Sequence, residues 1–240
     1  MKKILISLLA IVAISAAFAT TGTGATGGVD VINAKIADGV KIGVDMPVSY
    51  LDNLESPNAY VTVPIAGTVE LSGSYANLQS IMVDPDLDLQ WNEWIYTAGI
   101  KAGFGLGADK QVKVAVGGTY LNEAEKNSII GNWANAYLAV TANVAGVDLT
   151  GNATYYFSTN DDLMVDEDFS FGFAAEKALA DDFVLGAEYV VGNGVNYKNL
   201  GKSYGNLYGE LTVGEKVDLK LALTGIGYAT SVNFGIGYTF

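Results

Sequence analysis

Cysteine and histidine are both absent from the 240-residue chain, and its 13 basic residues are all lysine. Without cysteine there is no disulfide framework, no thiolate metal site, no cysteine nucleophile and no residue to carry a lipid anchor. Without histidine there is no Ser-His-Asp triad, no His-ligated zinc and no imidazole general base. Proline is scarce, at 4 residues, and the net charge of −13 leaves no basic face for nucleic acid. Half of the residues are nevertheless apolar, which sets the chain apart from acidic disordered proteins. Beyond residue 19, no stretch approaches the roughly 18 to 20 consecutive apolar residues of a spanning helix. The apolar half must be distributed with some other period.

The first 19 residues form a separate unit. Lys2 and Lys3 make a basic start, residues 4–14 are apolar apart from Ser7, and Ala17-Phe18-Ala19 matches an A-x-A cleavage site. This predicts a secretory signal peptide at 1–19, and its removal takes the charge to −15 (−13 minus 2). Residues 20–27 follow as a flexible Gly/Thr lead. Gly22, Gly24 and Gly27 in it spell G-x-G-x-x-G, but no strand precedes them and no amphipathic helix follows, so they predict no dinucleotide site. The sequon Asn152-Ala153-Thr154 falls inside an expected strand and is set aside as a glycosylation site.

From residue 28 to 240 the apolar period is two. In SVNFGIGYTF, residues 231–240, the residues Val232, Phe234, Ile236, Tyr238 and Phe240 share one parity, and small or polar residues take the other. That is the pattern of a strand between two different solvents. It recurs over 217–224, 206–213, 183–191, 169–176, 147–157, 134–144, 112–120, 94–106, 61–75 and 40–50. Residues 28–37 are expected to pair with 40–50 across Asp38-Gly39, although their parity is mixed. The count comes to about twelve strands, with ten as the alternative should 28–37 and its neighbour fail to pair. Short connections at 214–216, 179–182, 145–146 and 108–110 alternate with long ones at 193–203, 159–167, 123–132 and 77–93, and only 227–230 breaks the rule by being short on the long side. Tight turns at one end and long loops at the other predict a single antiparallel up-and-down transmembrane β-barrel over 28–240. Trp94, Tyr96, Tyr75, Tyr120, Tyr155, Phe157, Phe169 and Tyr189 fall at the loop ends of these strands, and Tyr50, Phe104, Phe183, Tyr238 and Phe240 at the turn ends. Two such aromatic girdles suit the two headgroup layers.

The last ten residues, with Phe240 terminal and Phe234, Ile236 and Tyr238 before it, resemble the assembly signal of Gram-negative-type outer-membrane β-barrel proteins. With the signal peptide and the strand count, the chain looks like a small porin or channel of the bacterial outer membrane. The resemblance implies export through the periplasm, the outer-membrane bilayer and its assembly machinery as partners, and no cofactor. Self-association is left open.

On the parity opposite the lipid face lie Asp45, Glu70, Asp148, Glu176, Glu188, Glu210 and Asp218, against Lys41, Lys101, Lys113 and Lys220, a net of three negative charges (seven minus four). Tyr60, Tyr137, Tyr156 and Tyr208 share that side. One expectation is an interior filled by Lys–carboxylate pairs and tyrosines, as in narrow barrels. The other, favoured by Gly99, Gly103, Gly105, Gly117, Gly172, Gly186, Gly235 and Gly237 on the same side, is a narrow open path. Rings of carboxylates attract cations, which predicts a weakly cation-preferring porin for small hydrophilic solutes or cations. Twelve-stranded porins for acidic sugars, which the chain resembles in strand number, tend towards an arginine-rich lumen, and arginine is absent here. The alternative function is a structural or interaction barrel with acidic loops. Asp84, Asp86 and Asp88 in one loop are weak calcium candidates, as are the acids between Asp161 and Asp168 in another, but neither run has an EF-hand register. No catalytic residue is assigned, because the barrel enzymes of this architecture depend on histidine.

Overall fold

Alternation at period two takes shape as twelve strands: β1 (Lys41–Val48), β2 (Asn58–Ile65), β3 (Val69–Ser80), β4 (Trp91–Leu106), β5 (Val112–Glu123), β6 (Trp133–Val144), β7 (Val147–Ser158), β8 (Asp168–Ala180), β9 (Phe183–Val191), β10 (Tyr204–Val213), β11 (Val217–Ile226) and β12 (Ser231–Thr239). The computed structural model describes residues 31–48, 58–80, 91–107, 111–123, 133–158, 168–191, 203–214, 216–226 and 231–240. Every strand pairs antiparallel with its sequence neighbours, and β1 meets β12 from Lys41↔Thr239 to Val48↔Val232. The sheet therefore closes with no free edge, the one sheet arrangement that leaves no backbone group unpaired in a bilayer.

The two faces have opposite chemistry. Ile42, Ile100, Leu138, Phe173, Leu221 and Ile236 point outward and are 44 to 59% exposed. Among the described buried residues, polar and charged side chains outnumber apolar ones. A soluble sandwich would invert this, burying its large apolar residues. Tyr75, Tyr96, Tyr120, Phe169 and Tyr189 are exposed near the loop end, where Tyr155 and Phe169 lie 4.8 Å apart, ring to ring, across β7 and β8. Phe104, Tyr238 and Phe240 are exposed at the turn end. Trp94 has no described side chain, and Tyr50 lies outside the described residues.

The twelve strands differ from the expected twelve in two places. Residues 61–75, read as one strand, are the β2–β3 hairpin. Ala66 and Gly67 at its tip both have positive φ (52° and 68°), as Ala145 and Gly146 do at the β6–β7 tip (52° and 80°). Two consecutive positive φ values make the tight turn whose twist matches paired strands. An alanine in place of the usual asparagine weakens its signature in the sequence. Outward parity also carries over, since Val61, Ile65 and Leu71 are all exposed. Residues 28–37 are the second difference: the described part, 31–37, adds no strand to the barrel, whose first strand is β1. Those residues run through the interior. At the bend by Asp38 the chain passes Phe240, whose N–H donates to the Val40 carbonyl at 2.9 Å, and then enters β1. A Cβ on Gly39 would lie 2.8 Å from the Phe240 carbonyl oxygen, so this crossing requires glycine.

Several inward glycines are not the open floor that the favoured expectation made of them. Tyr60 covers Gly43, Tyr137 covers Gly117, and Tyr208 covers Gly186 so closely that a Cβ at any of the three would collide with the ring. Tyr208 cannot swing aside freely, being buried and donating to Glu176 Oε1 at 2.6 Å. Gly186→Ala is therefore expected to cost about 1–3 kcal/mol through overpacking. The check is the denaturant midpoint of the lipid-reconstituted barrel, and an unchanged midpoint would show that the ring has room to move.

Candidate channel interior

Sheet register dictates which inward side chains meet. Glu70 on β3 lies directly opposite Lys101 on β4, and their Oε1–Nζ distance is 3.0 Å. Both side chains are at most 1% exposed. Glu70 Oε2 also accepts the Ala37 N–H at 2.9 Å. Asp148 on β7 and Glu176 on β8, again directly opposite, share one cation: Lys35 Nζ lies 2.7 Å from Asp148 Oδ2 and 3.2 Å from Glu176 Oε2. Burial works against the Lys35 ammonium, and Glu176 with Asp148 outweighs it, holding its pKa above the ordinary lysine value. Glu188 on β9 accepts from Asn206 Nδ2 at 3.0 Å and from the Val31 N–H at 3.3 Å.

A second group occupies the wall from β10 round to β1. Lys41 Nζ lies 2.8 Å from Asp218 Oδ2 and 3.7 Å from Glu210 Oε1, and Lys220 Nζ lies 3.9 Å from Glu210 Oε2. Lys220 also sits over the Tyr208 ring, 5.0 Å from its centroid. Asp45 is buried on β1, its carboxylate over Gly235. Lys113 has inward parity but lies exposed near the turn end of β5.

Ten of these eleven charged residues lie on the inward face of the wall, and Lys113 stands at the rim. Lys35 is the addition, bringing the sum over these positions to −2 (seven carboxylates, five lysines). The mixed parity of residues 28–37 was its only trace in the sequence, because a segment inside a barrel need not alternate. The charges nearest the turn end keep contact with water: Lys41 is 25% and Glu210 28% exposed in its side chain. Among the described residues no group of three or more acids converges as a metal site. Asp84, Asp86, Asp88, Asp161, Asp162, Asp166 and Glu167 lie outside the described residues.

The barrel as a whole is similar to known ones. The KdgM porin in complex with disordered oligogalacturonate superposes with a TM-score of 0.62 at 11% identity, covering 84% of this chain and 98% of that one. The NanC porin gives 0.57 at 11% identity, covering 84% and 98%. Outer membrane phospholipase A from Escherichia coli gives 0.52 at 14% identity, covering 84% and 92%. No protein-family model matches the sequence, and no curated protein matches it. The likeness is therefore one of fold, shared by porins and by an enzyme.

Proposed function

We propose that the chain is an outer-membrane porin giving passive diffusion of small hydrophilic solutes through a narrow, weakly cation-preferring lumen. The observation that carries this is the opposition of the two faces: apolar side chains outward on a closed barrel, carboxylates, lysines, amides and hydroxyls inward. The acid excess along these interior positions favours cations over anions within a low-dielectric wall. The candidate lining residues are Lys41, Asp45, Glu70, Lys101, Lys113, Asp148, Glu176, Glu188, Glu210, Asp218 and Lys220. The oligogalacturonate of the KdgM complex does not transfer, because a polyanion needs a cationic path and this chain has no arginine. No catalytic role is assigned.

Under a potassium chloride gradient, the reconstituted protein is expected to show a reversal potential on the cation side. Replacing Glu210 and Asp218 together by Gln and Asn removes two of these acids, both partners of Lys41, and the reversal potential should fall towards zero. A wild-type preference for chloride would sink the cation assignment.

Residues 1–19 are proposed to be removed on export, leaving the lead 20–27, and the C-terminal pattern to be taken up by the assembly machinery for insertion. Deleting Phe240 should then lower the heat-modifiable barrel recovered from outer membranes severalfold, and an unchanged yield would contradict that role. A second function has one observation in its favour. The described side chains midway along the interior are nearly all buried, which suits a structural or interaction barrel displaying acidic loops. Bilayers that stay silent with every form of the protein would favour it.

A further inference from the structure

Residues 31–37 occupy one sector of the interior and touch the wall at a succession of strands. Val31 lies against Gly172 of β8, where an added Cβ would be 2.8 Å from Val31 Cγ2. Ala34 packs with Ala115 of β5 and Ala139 of β6, both fully buried. Ile36 lies over Gly103 of β4, where a Cβ would be 3.0 Å from Ile36 Cδ1. These contacts fall on glycine or alanine, and Val31 also packs with Ala174 of β8, Val190 of β9 and Tyr204 of β10. The small residues of β4, β5, β6 and β8 thus form a bay shaped to the segment, and any larger side chain there would expel it.

The grip on the segment is of a particular kind. The N–H groups of Val31, Ala34 and Ala37 donate to the side chains of Glu188, Thr141 and Glu70, and Lys35 pairs with Asp148 and Glu176. The wall needs none of it for its own ladder, because β3 to β9 are each paired on both edges without the segment. Its departure would leave the barrel closed and expose carboxylates and hydroxyls, groups that water can solvate. The Asp38-Gly39 bend at the turn end marks where it would pivot.

We propose that residues 31–37 are a displaceable plug: the bay that holds them is the conducting sector of the channel, closed while they are seated and open when they leave. This rests on the channel reading above and adds its regulation. It also explains why the middle of the interior is buried in a barrel of twelve strands, a number that exceeds what side chains alone fill.

The test uses the absence of native cysteine. In the full-length double variant Ala34→Cys, Ala139→Cys, oxidation should link the two thiols within one chain and abolish maleimide labelling. The oxidised protein should be silent in planar bilayers, and reduction should restore conduction. Lys35→Gln, and separately deletion of residues 20–37, should raise the time spent open by roughly tenfold or more, the scale on which a modest bias shifts two states. Two thiols that never link would overturn the plug, as would a linked protein that conducts as well as the reduced one; conduction in either case leaves the channel itself standing. A link that forms while every variant, the deletion included, stays silent would overturn the channel and the plug together.

Discussion

Lys101→Met alone should cost the barrel about 3–5 kcal/mol, the usual consequence of stranding one partner of a buried ion pair. The pair is well placed for a large effect. Glu70 and Lys101 face each other across β3 and β4 at 3.0 Å, and neither side chain is more than 1% exposed. With Lys101 gone, the Glu70 carboxylate keeps the Ala37 N–H but has lost its cation. Combining Lys101→Met with Glu70→Gln removes both charges and leaves an acceptor for that N–H, so the double variant should recover to within about 1 kcal/mol of wild type. Denaturant unfolding of the reconstituted protein, run as a double-mutant cycle, measures the coupling. A single variant losing under about 1 kcal/mol would mean that water already reaches the pair, as expected of exposed pairs.

Ile100→Arg should cost about 2–4 kcal/mol, because a cation on the lipid face of a transmembrane barrel is most unfavourable near the midplane. Ile100 is 54% exposed, six residues above the turn end of β4. Leu106, on the same face at the strand's last position and 49% exposed, should tolerate arginine at about 0–1 kcal/mol. In water the two substitutions would behave alike, and neither would cost much. The depth profile therefore separates a lipid-facing surface from a solvated one, and equal, small effects at both positions would remove the membrane from the account.

What could be read from the residues, and what could not, follows from one physical distinction. A strand between lipid and a polar interior must alternate, so the outward positions of β4 to β12 are visible in the sequence, and with them the inward charges. Turns are visible where they change the apolar parity. The Ala145-Gly146 turn joins Val144 to Val147 and flips it, whereas the Ala66-Gly67 turn lies between Ile65 and Val69, which share one parity, so β2 and β3 merge into one apparent strand. The interior segment is harder still. It obeys no period, because its contacts are set one by one by Gly172, Thr141, Ala139, Gly103 and Glu70 from distant strands. Splitting one stretch and removing another cancel in the strand count, while their consequences for the interior do not cancel. Of the glycines expected to line an open path, Gly117 and Gly186 receive tyrosine rings, and Gly172 and Gly103 the side chains of residues 31 and 36. Lys35, invisible as an interior residue, sits between two acids that were visible.

The central claim is that this barrel is a conduit closed from within, and single-channel recording of the protein with and without residues 20–37 tests it most directly. The account predicts rare steps from the intact chain, and frequent, cation-leaning steps once the segment is gone. Silence from both forms would contradict it.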